Sequence, residues 1–457
     1  MILNKKKLQF LLIQIIIFVL TILIFNINNI SIKLLEINLL IQFIYSLFIS
    51  FKLYSKLTNI FTFFLIASLV FGIGRVLLGI IGLGNFNQIT WFSNEVINYN
   101  IQLKTILAII ISLQGLTIGF LIFKKISSQN EISFEPKIFN AAKYLFVIFG
   151  IFNFIRIINM LLFTLKSGYG NYYSYGYTNN IILAIADDGF KYSFYAILLS
   201  NPKWGTVKKY INVYFIFQLI IIFTGFRGQA FSEILVLIIY IAYKSNMKFN
   251  MKKLSLIGII FIIIATISGN IRIGEKSYLS KNNFIVDFFN TQGYSTNVLA
   301  LTIQDPYNKF ENDINYILYP FKSTLNLNID ESLHGKVLNK SLPHVVSYLT
   351  NSYVYNTGGG MGGNYIAELY SIGNFISVLF GNILLAFIIS FFDNRFFKNR
   401  YFIYFSMYIF PCILMLPRDY YFNYILNIFM CLFFLIFIIL VSNILDNFRV
   451  KNSYLKE

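Results

Sequence analysis

The chain has 457 residues, of which 57% are hydrophobic, 19% are aromatic and only 12% are charged. A soluble domain carries about 25% charged residues, so this composition excludes an ordinary soluble protein and predicts a polytopic helical membrane protein. The net charge of +18 does not indicate nucleic-acid binding, because the basic residues recur in short loops rather than on one soluble segment.

Apolar runs predict an all-α chain with about 12 transmembrane helices. In chain order, the runs cover residues 8–26, 34–51, 58–83, 101–123, 143–165, 181–200, 210–225, 228–243, 254–271, 366–391, 401–416 and 421–445. The first run is long and lacks a small-residue cleavage site, so we interpret it as a retained span and not as a signal peptide.

Every second loop between these runs is basic. The basic segments surround Lys5, Lys52, Lys124, Lys203, Lys252, Arg400 and Arg449. Because cytoplasmic loops are enriched in Lys and Arg, this alternation predicts an even number of spans with both termini in the cytoplasm. It divides the chain into transmembrane helices 1–9 in residues 1–271, one large extracytoplasmic loop in residues 272–365, and helices 10–12 in residues 366–457.

Three arginines depart from this charge pattern. Arg227, Arg272 and Arg418 lie at predicted helix ends on the extracytoplasmic side, beside Gly, Asn, Pro or Asp and not in basic anchor runs. A snorkelling lipid anchor is the alternative for each. Together they predict an anion site, because a guanidinium binds phosphate oxygens in a bidentate manner and stays charged. Gly225 and Gly228 would allow a sharp turn and close approach of a ligand to the backbone.

A glycine-rich run, NTGGGMGGNYIAELYSIGNF, occupies residues 356–375. It leads into the tenth predicted helix, in which Glu368 lies about one turn from the start. Such loops can present backbone amides to phosphate, but no Walker lysine follows, so the pattern does not support ATP binding. Glu368 is a candidate general base, with a solvent-facing interfacial residue as the alternative. We expect Gly362 and Gly363 to provide backbone contacts to the substrate.

Two histidines, His334 and His344, both fall in the large loop, and His344 is the second candidate base. The sequence has no cluster of His, Cys and Asp with metal-ligand spacing in this loop, which predicts chemistry without a metal or another cofactor. Cys412 and Cys431 lie inside predicted spans and are interpreted as packing residues.

Two further arginines, Arg75 and Arg156, fall within the third and fifth predicted helices. A charge inside a membrane is costly, so each must face a cavity or a partner. The sequence offers Asp187, Asp188 and Lys191 near the start of the sixth helix. These three residues are expected to neutralise one another or one of the arginines.

Taken together, these features resemble the bacterial O-antigen polymerase (Wzy-type) family of oligosaccharide repeat-unit polymerases. The resemblance consists of about a dozen spans, the GFRG turn at 225–228, Arg272 at the head of a large loop, the glycine-rich run leading to IAELY at 366–370, and PRD at 417–419. Asn364 stands where we expect serine in that family.

This resemblance implies a glycosyltransferase with a GT-C-like membrane fold in the bacterial cytoplasmic membrane. It would transfer a growing glycan from undecaprenyl diphosphate to the nonreducing end of a new lipid-linked unit on the outer face. The arginines would bind the diphosphate, Glu368 or His344 would handle the acceptor hydroxyl, and Tyr420 would contact sugar. Expected partners are the bilayer, the lipid-linked oligosaccharide, a flippase and a chain-length regulator. The alternatives are a lipid-linked oligosaccharide flippase or transporter and an O-antigen ligase.

Overall fold

The computed structural model of the chain describes residues 5–27, 30–54, 58–84, 86, 96–125, 132–167, 181–245, 256, 258–264, 266, 284–305, 310, 314–324, 341–356 and 360–454. Within these ranges the architecture is helical, and nine helices are long and apolar enough to cross a membrane. This confirms the predicted class of all-α polytopic membrane protein.

The helices are named here in chain order. They are α1 Lys5–Phe25, α2 Ile32–Tyr54, α3 Ile60–Ile81, α4 Tyr99–Phe123, α5 Pro136–Ser167, α6 Ile181–Leu199, α7 Trp204–Phe223, α8 Arg227–Lys244, α9 Phe284–Gln292, α10 Thr296–Gln304, α11 Asn315–Thr324, α12 Leu342–Thr350, α13 Ser352–Asn356, α14 Tyr365–Asp393, α15 Arg400–Met415 and α16 Ile428–Tyr454. The predicted spans 181–200 and 228–243 correspond to α6 and α8. Half of the predicted span 254–271 lies outside the described residues.

Close packing of α4 against α14 forms the centre of the bundle. A Cβ on Gly115 would lie 2.6 Å from the Leu379 carbonyl oxygen, and one on Gly119 would lie 2.5 Å from Ala386 Cβ. The two glycines are four residues apart and therefore share one face of α4. Small residues at this spacing allow two helix backbones to approach closely, which is how helices associate where no water drives them together.

Polar side chains connect α1, α2 and α4 inside the bundle. Gln14 donates to Gln42 at 3.1 Å, and the hydroxyls of Ser46 and Thr117 lie 2.8 Å apart. All four side chains are buried. In an apolar environment a polar group without a partner is costly, so these bonds fix which helix faces meet.

One end of the bundle carries paired charges, and we call it the basic end. Lys124, after α4, pairs with Asp393 at the end of α14, and Tyr54 at the end of α2 donates to the same carboxylate at 2.7 Å. Arg400, at the start of α15, pairs with Glu135 just before α5. These contacts bring the ends of five membrane helices to one level.

Helix α14 is broken into two antiparallel parts. Gly373 and Asn374 have non-helical backbone angles, and Asn374 has a φ of 53°. The Tyr365 hydroxyl donates to Asn382 at 3.0 Å although the two residues are 17 positions apart, which would separate them by about 25 Å in a continuous helix. The part before the break therefore folds back against the longer part. The sequence predicts one uninterrupted span here, and the structure has a hairpin.

Helix α10, from the segment assigned to the large loop, lies within the bundle. Positions 296–303 are all buried, and the helix packs against α4 and α14. Just before it, Ser295 donates to the carbonyl of Phe71 at 2.6 Å and to that of Pro417 at 3.0 Å. Phe71 lies in a π-helical turn of α3, where the widened backbone leaves its carbonyl available. Part of the predicted loop thus contributes to the core.

Candidate functional site

The GFRG turn joins α7 to α8 and contacts the end of α15, just before the PRD turn. Gly225 has a φ of 102°, a conformation that favours glycine, and Arg227 follows as the first residue of α8. A Cβ on Gly228 would lie 2.8 Å from the Cε of Met415. Met415 is three residues before Arg418, so the structure brings the surroundings of two of the predicted arginines together.

The glycine-rich run packs directly on the PRD turn. Gly363 N donates to the Arg418 carbonyl at 2.9 Å, and a Cβ on Gly363 would lie only 2.6 Å from Asp419 Cα. Gly362 has a φ of 78° and faces the Arg418 side chain, with 3.4 Å between a built Cβ and Arg418 Cγ. Side chains at these two positions would separate the segments, so glycine is required by the contact itself.

Contacts from α9 and α3 position the Arg418 side chain. Its Nη1 donates to Gln292 Oε1 at 3.2 Å, and its guanidinium carbon lies 5.9 Å from the centre of the Phe71 ring. The side chain is half-buried. A guanidinium carries five N–H donors in a planar fork, a geometry that matches the oxygens of a phosphate.

Glu368 lies on the short first part of α14 and is 0% exposed. Its Oε2 accepts a hydrogen bond from Tyr421 N at 2.8 Å, while Oε1 has no hydrogen-bond partner among the described residues. The carboxylate therefore holds the backbone just after Asp419. The solvent-facing alternative for Glu368 is wrong, since the side chain is fully enclosed.

Asp419 is a half-buried carboxylate beside Arg418 that our sequence analysis included in the PRD motif without giving it a role. Its Oδ1 accepts from Tyr420 N at 2.9 Å, and Oδ2 accepts from Asn423 Nδ2 at 2.5 Å. Burial raises the pKa of this carboxyl to about 7, although both hydrogen bonds and Arg418 oppose the rise. The signal available in the sequence was a carboxylate immediately after the arginine.

Asn364 caps α14, which explains the departure from serine. Its side chain accepts from Ile366 N at 3.0 Å and donates to the Ser295 carbonyl at 3.2 Å. Serine and asparagine are both preferred at helix N-termini because each presents an oxygen to the first free amides. The change therefore preserves the start of the helix that carries Glu368.

His344 lies on α12, next to the glycine-rich run. Its Nδ1 is 3.0 Å from the Tyr355 hydroxyl, and on the same helix Ser347 Oγ accepts from Met361 N at 3.1 Å. Tyr420 forms an edge-to-face contact with Tyr319 of α11, with ring centres 5.9 Å apart. Helices α11 and α12 thus cover the segments that meet at Arg418.

Arg272 and His334 lie outside the described residues. Among the residues that the structure describes, no group of three or more His, Cys, Asp or Glu side chains could hold a metal ion.

The two intramembrane arginines have the surroundings that the sequence requires of them. Arg75 is buried, with its guanidinium carbon 5.2 Å from the centre of the Tyr294 ring. Arg156 forms an ion pair with Asp187 at 2.7 Å, which confirms the predicted neutralisation. Lys191 instead pairs with Glu233 of α8 at 2.7 Å, a partner that the sequence analysis did not identify.

These features define a multi-pass membrane protein in which a glycine-rich segment packs on a turn that carries a half-buried arginine and a carboxylate, with a second carboxylate bonded to the backbone of that turn. The family model for the O-antigen polysaccharide polymerase Wzy matches residues 8–447. The chain therefore belongs to this family, which polymerises O-antigen repeat units, and the predicted resemblance is confirmed. Comparison with curated proteins and with solved structures gave no match.

Proposed function

We propose that this chain joins lipid-linked oligosaccharide repeat units at the site around Arg418. In this proposal the growing glycan leaves undecaprenyl diphosphate and is joined to the nonreducing end of a new lipid-linked unit, on the outer face of the bacterial cytoplasmic membrane. The observation that carries the proposal is the packing of the glycine-rich run on the PRD turn, with the GFRG turn next to Met415. In this proposal, the glycine-rich run, the PRD turn and the GFRG turn each contribute residues to one site.

Arg227 and Arg418 are assigned to the diphosphate, together with Arg272. The leaving diphosphate gains negative charge as the glycosidic bond breaks, and fixed positive charge lowers the energy of that state. Arginine suits this role because it stays protonated and offers two parallel donors to phosphate oxygens. No metal is required for the charge balance when several guanidinium groups contact the leaving group.

Asp419 is assigned to the acceptor hydroxyl. Of the two bases that the sequence offered, Glu368 is enclosed and His344 contacts Tyr355, whereas Asp419 is partly accessible beside Arg418. The acceptor O–H proton passes to the Asp419 carboxylate, and the oxygen forms a bond to C1 of the donor sugar. The bond between C1 and the phosphate oxygen breaks, and its electron pair leaves with the lipid diphosphate. Glu368 positions this turn through Tyr421 N.

The test is the glycan length distribution in a deletion strain complemented with the wild type, Arg418→Ala, Arg418→Lys or Arg395→Ala. Arg395 lies at the basic end and is the matched control. We expect the deletion strain and Arg418→Ala to stop at one repeat unit, Arg418→Lys to make a weaker ladder, and Arg395→Ala to match the wild type. Membrane levels of each variant are measured alongside.

The alternatives give different products. A flippase would leave lipid-linked units on the cytoplasmic face after deletion, and a ligase would leave full-length polymer on its lipid. Either result would overturn the proposed polymerase reaction. A flippase that supplies the units and a chain-length regulator are the protein partners that we propose for this reaction.

A further inference from the structure

A polar cavity lies between α5, α6, α7 and α8. Its volume is about 100 Å³, and its lining includes Asn153, Arg156, Lys191, Gln218, Phe226 and Glu233. Phe226 directly precedes Arg227, so the cavity begins next to the GFRG turn. Polar groups at membrane depth are costly and mark functional sites by default.

The charges that line this cavity are already paired. Arg156 and Asp187 are 2.7 Å apart, as are Lys191 and Glu233, and the Tyr195 hydroxyl donates to both oxygens of Glu233 at 2.9 and 2.7 Å. An anion such as a diphosphate would need excess positive charge, and none is present in these two pairs. The cavity therefore suits a neutral ligand with many hydrogen-bonding groups.

Asn153 points to a ligand independently of the charges. It is 1% exposed and lines the cavity, and its Oδ1 has no hydrogen-bond partner among the described residues. A buried amide oxygen without a donor lowers stability, so it is kept only where something else uses it. Gln218 adds a second buried amide to the lining.

Aromatic rings complete the lining. Phe190 and Tyr214 stack with ring centres 5.7 Å apart, and Phe226 belongs to the GFRG turn. The amides of the lining both donate to and accept from hydroxyl groups, the paired carboxylates accept, and the paired cations donate, while the aromatic rings supply apolar surface between these polar groups. Together these groups match a polyol better than a lipid chain or an ion.

We propose that this cavity is a subsite for one neutral sugar ring of the lipid-linked oligosaccharide. The proposal rests on the proposed function, because it places that ring beside the GFRG turn whose arginine is assigned to the diphosphate. The subsite gives the protein a means of distinguishing sugar-bearing lipid diphosphate from the bare lipid diphosphate that the reaction releases. Product would then leave more readily than substrate.

The test compares the binding of two probes to the purified full-length protein in nanodiscs. One probe is the lipid-linked repeat unit extracted from a strain that lacks the polymerase, and the other is undecaprenyl diphosphate. The variants are Asn153→Leu and Gln218→Leu, with Asn100→Leu at an exposed position of α4 as the matched control. Thermal unfolding is measured for each.

We expect Asn153→Leu to weaken binding of the repeat unit about tenfold while the Kd for undecaprenyl diphosphate stays the same. Its melting temperature should not fall, because a buried amide oxygen without a partner is removed. Equal weakening of both probes, or no change for either, would overturn the subsite. If Asn153→Leu does not fold, the same comparison of the two probes is made with Gln218→Leu.

Polymer formation by the wild type from the same extracted unit separates this proposal from the previous one. Sugar-dependent binding that is lost in Asn153→Leu, without any polymer made by the wild type, would retain the subsite and reject the polymerase reaction. If the wild type makes polymer and Asn153→Leu binds the two probes as the wild type does, the polymerase reaction is retained and the subsite is rejected.

Discussion

The Asp419 carboxyl should determine how activity varies with pH. Its pKa is raised to about 7 by burial, so below that pH the group is protonated and cannot accept the proton of a hydroxyl. We expect the polymerisation rate in reconstituted vesicles to rise with pH and to level off above about 7. Asp419→Asn should lower the rate by roughly 10²–10⁴ and remove this rise.

The contribution of Asp419 to the free energy of unfolding should fall as the pH rises, whereas its contribution to activity should increase. A carboxyl whose pKa is raised in the folded state binds its proton more tightly there than in the unfolded chain, where the value is 3.8. Its contribution to folding is therefore complete below that value and is lost as the pH rises to about 7.

The activity prediction is contradicted if Asp419→Asn leaves the pH dependence of the polymerisation rate unchanged, because another group would then accept the proton.

Glu368 should act through the backbone that it holds. Glu368→Gln keeps an oxygen that can accept from Tyr421 N, whereas Glu368→Ala leaves this buried amide without a partner, which costs about 1–3 kcal/mol. We expect Gln to keep most of the polymerase activity and Ala to lose activity and thermal stability. Equal inactivity of both variants, with stability retained in Gln, would instead place the carboxylate in the chemical step.

Among the elements, the glycine-rich segment depends most closely on its contact with the PRD turn. Gly363→Ala would put a Cβ 2.6 Å from Asp419 Cα, which is backbone and cannot rotate away. The turn must then shift, so we expect a large loss of activity with normal membrane levels. Gly205→Ala in α7 is the control, because a Cβ there meets nothing within 4 Å. Wild-type activity in Gly363→Ala would mean that the contact does not position the site.

The sequence predicts the long helices well because each apolar run is bounded by charged or polar residues. It misses the break in α14, since Gly373 and Asn374 stand within an apolar stretch that has the length of a span. The fold-back is stabilised by contacts between residues distant from the turn, such as Tyr365 with Asn382 and Leu369 against Gly381. Periodicity cannot reveal contacts of this kind.

The candidate site is predictable in its motifs but not in its geometry. Arg418 and the glycine-rich run stand out as local patterns, yet their direct contact arises only because α14 folds back and α15 ends at the same level. The role proposed for Asp419 depends on burial, which no local pattern shows. Likewise, Ser295 reaches α3 only because part of a polar segment enters the bundle.

At the scale of the whole molecule, the basic end and the candidate site occupy different parts of the bundle. Lys124, Asp393 and Arg400 fix the basic end, while the hairpin in α14 brings Glu368 back between the membrane helices. The site is therefore recessed within the bundle and surrounded by α9, α10 and α12. Such a position limits access of water to the sugar C1 and favours transfer to a hydroxyl over hydrolysis.

The orientation of the molecule gives the last prediction. If the basic end is cytoplasmic, Lys203→Cys near that end should react with a membrane-impermeant maleimide only after the cells are permeabilised. Tyr353→Cys on α13 is 78% exposed and should react in intact cells. Both are made with Cys412 and Cys431 replaced by serine. The reverse labelling pattern would put the Arg418 site on the cytoplasmic side, where polymerisation on the outer face is impossible.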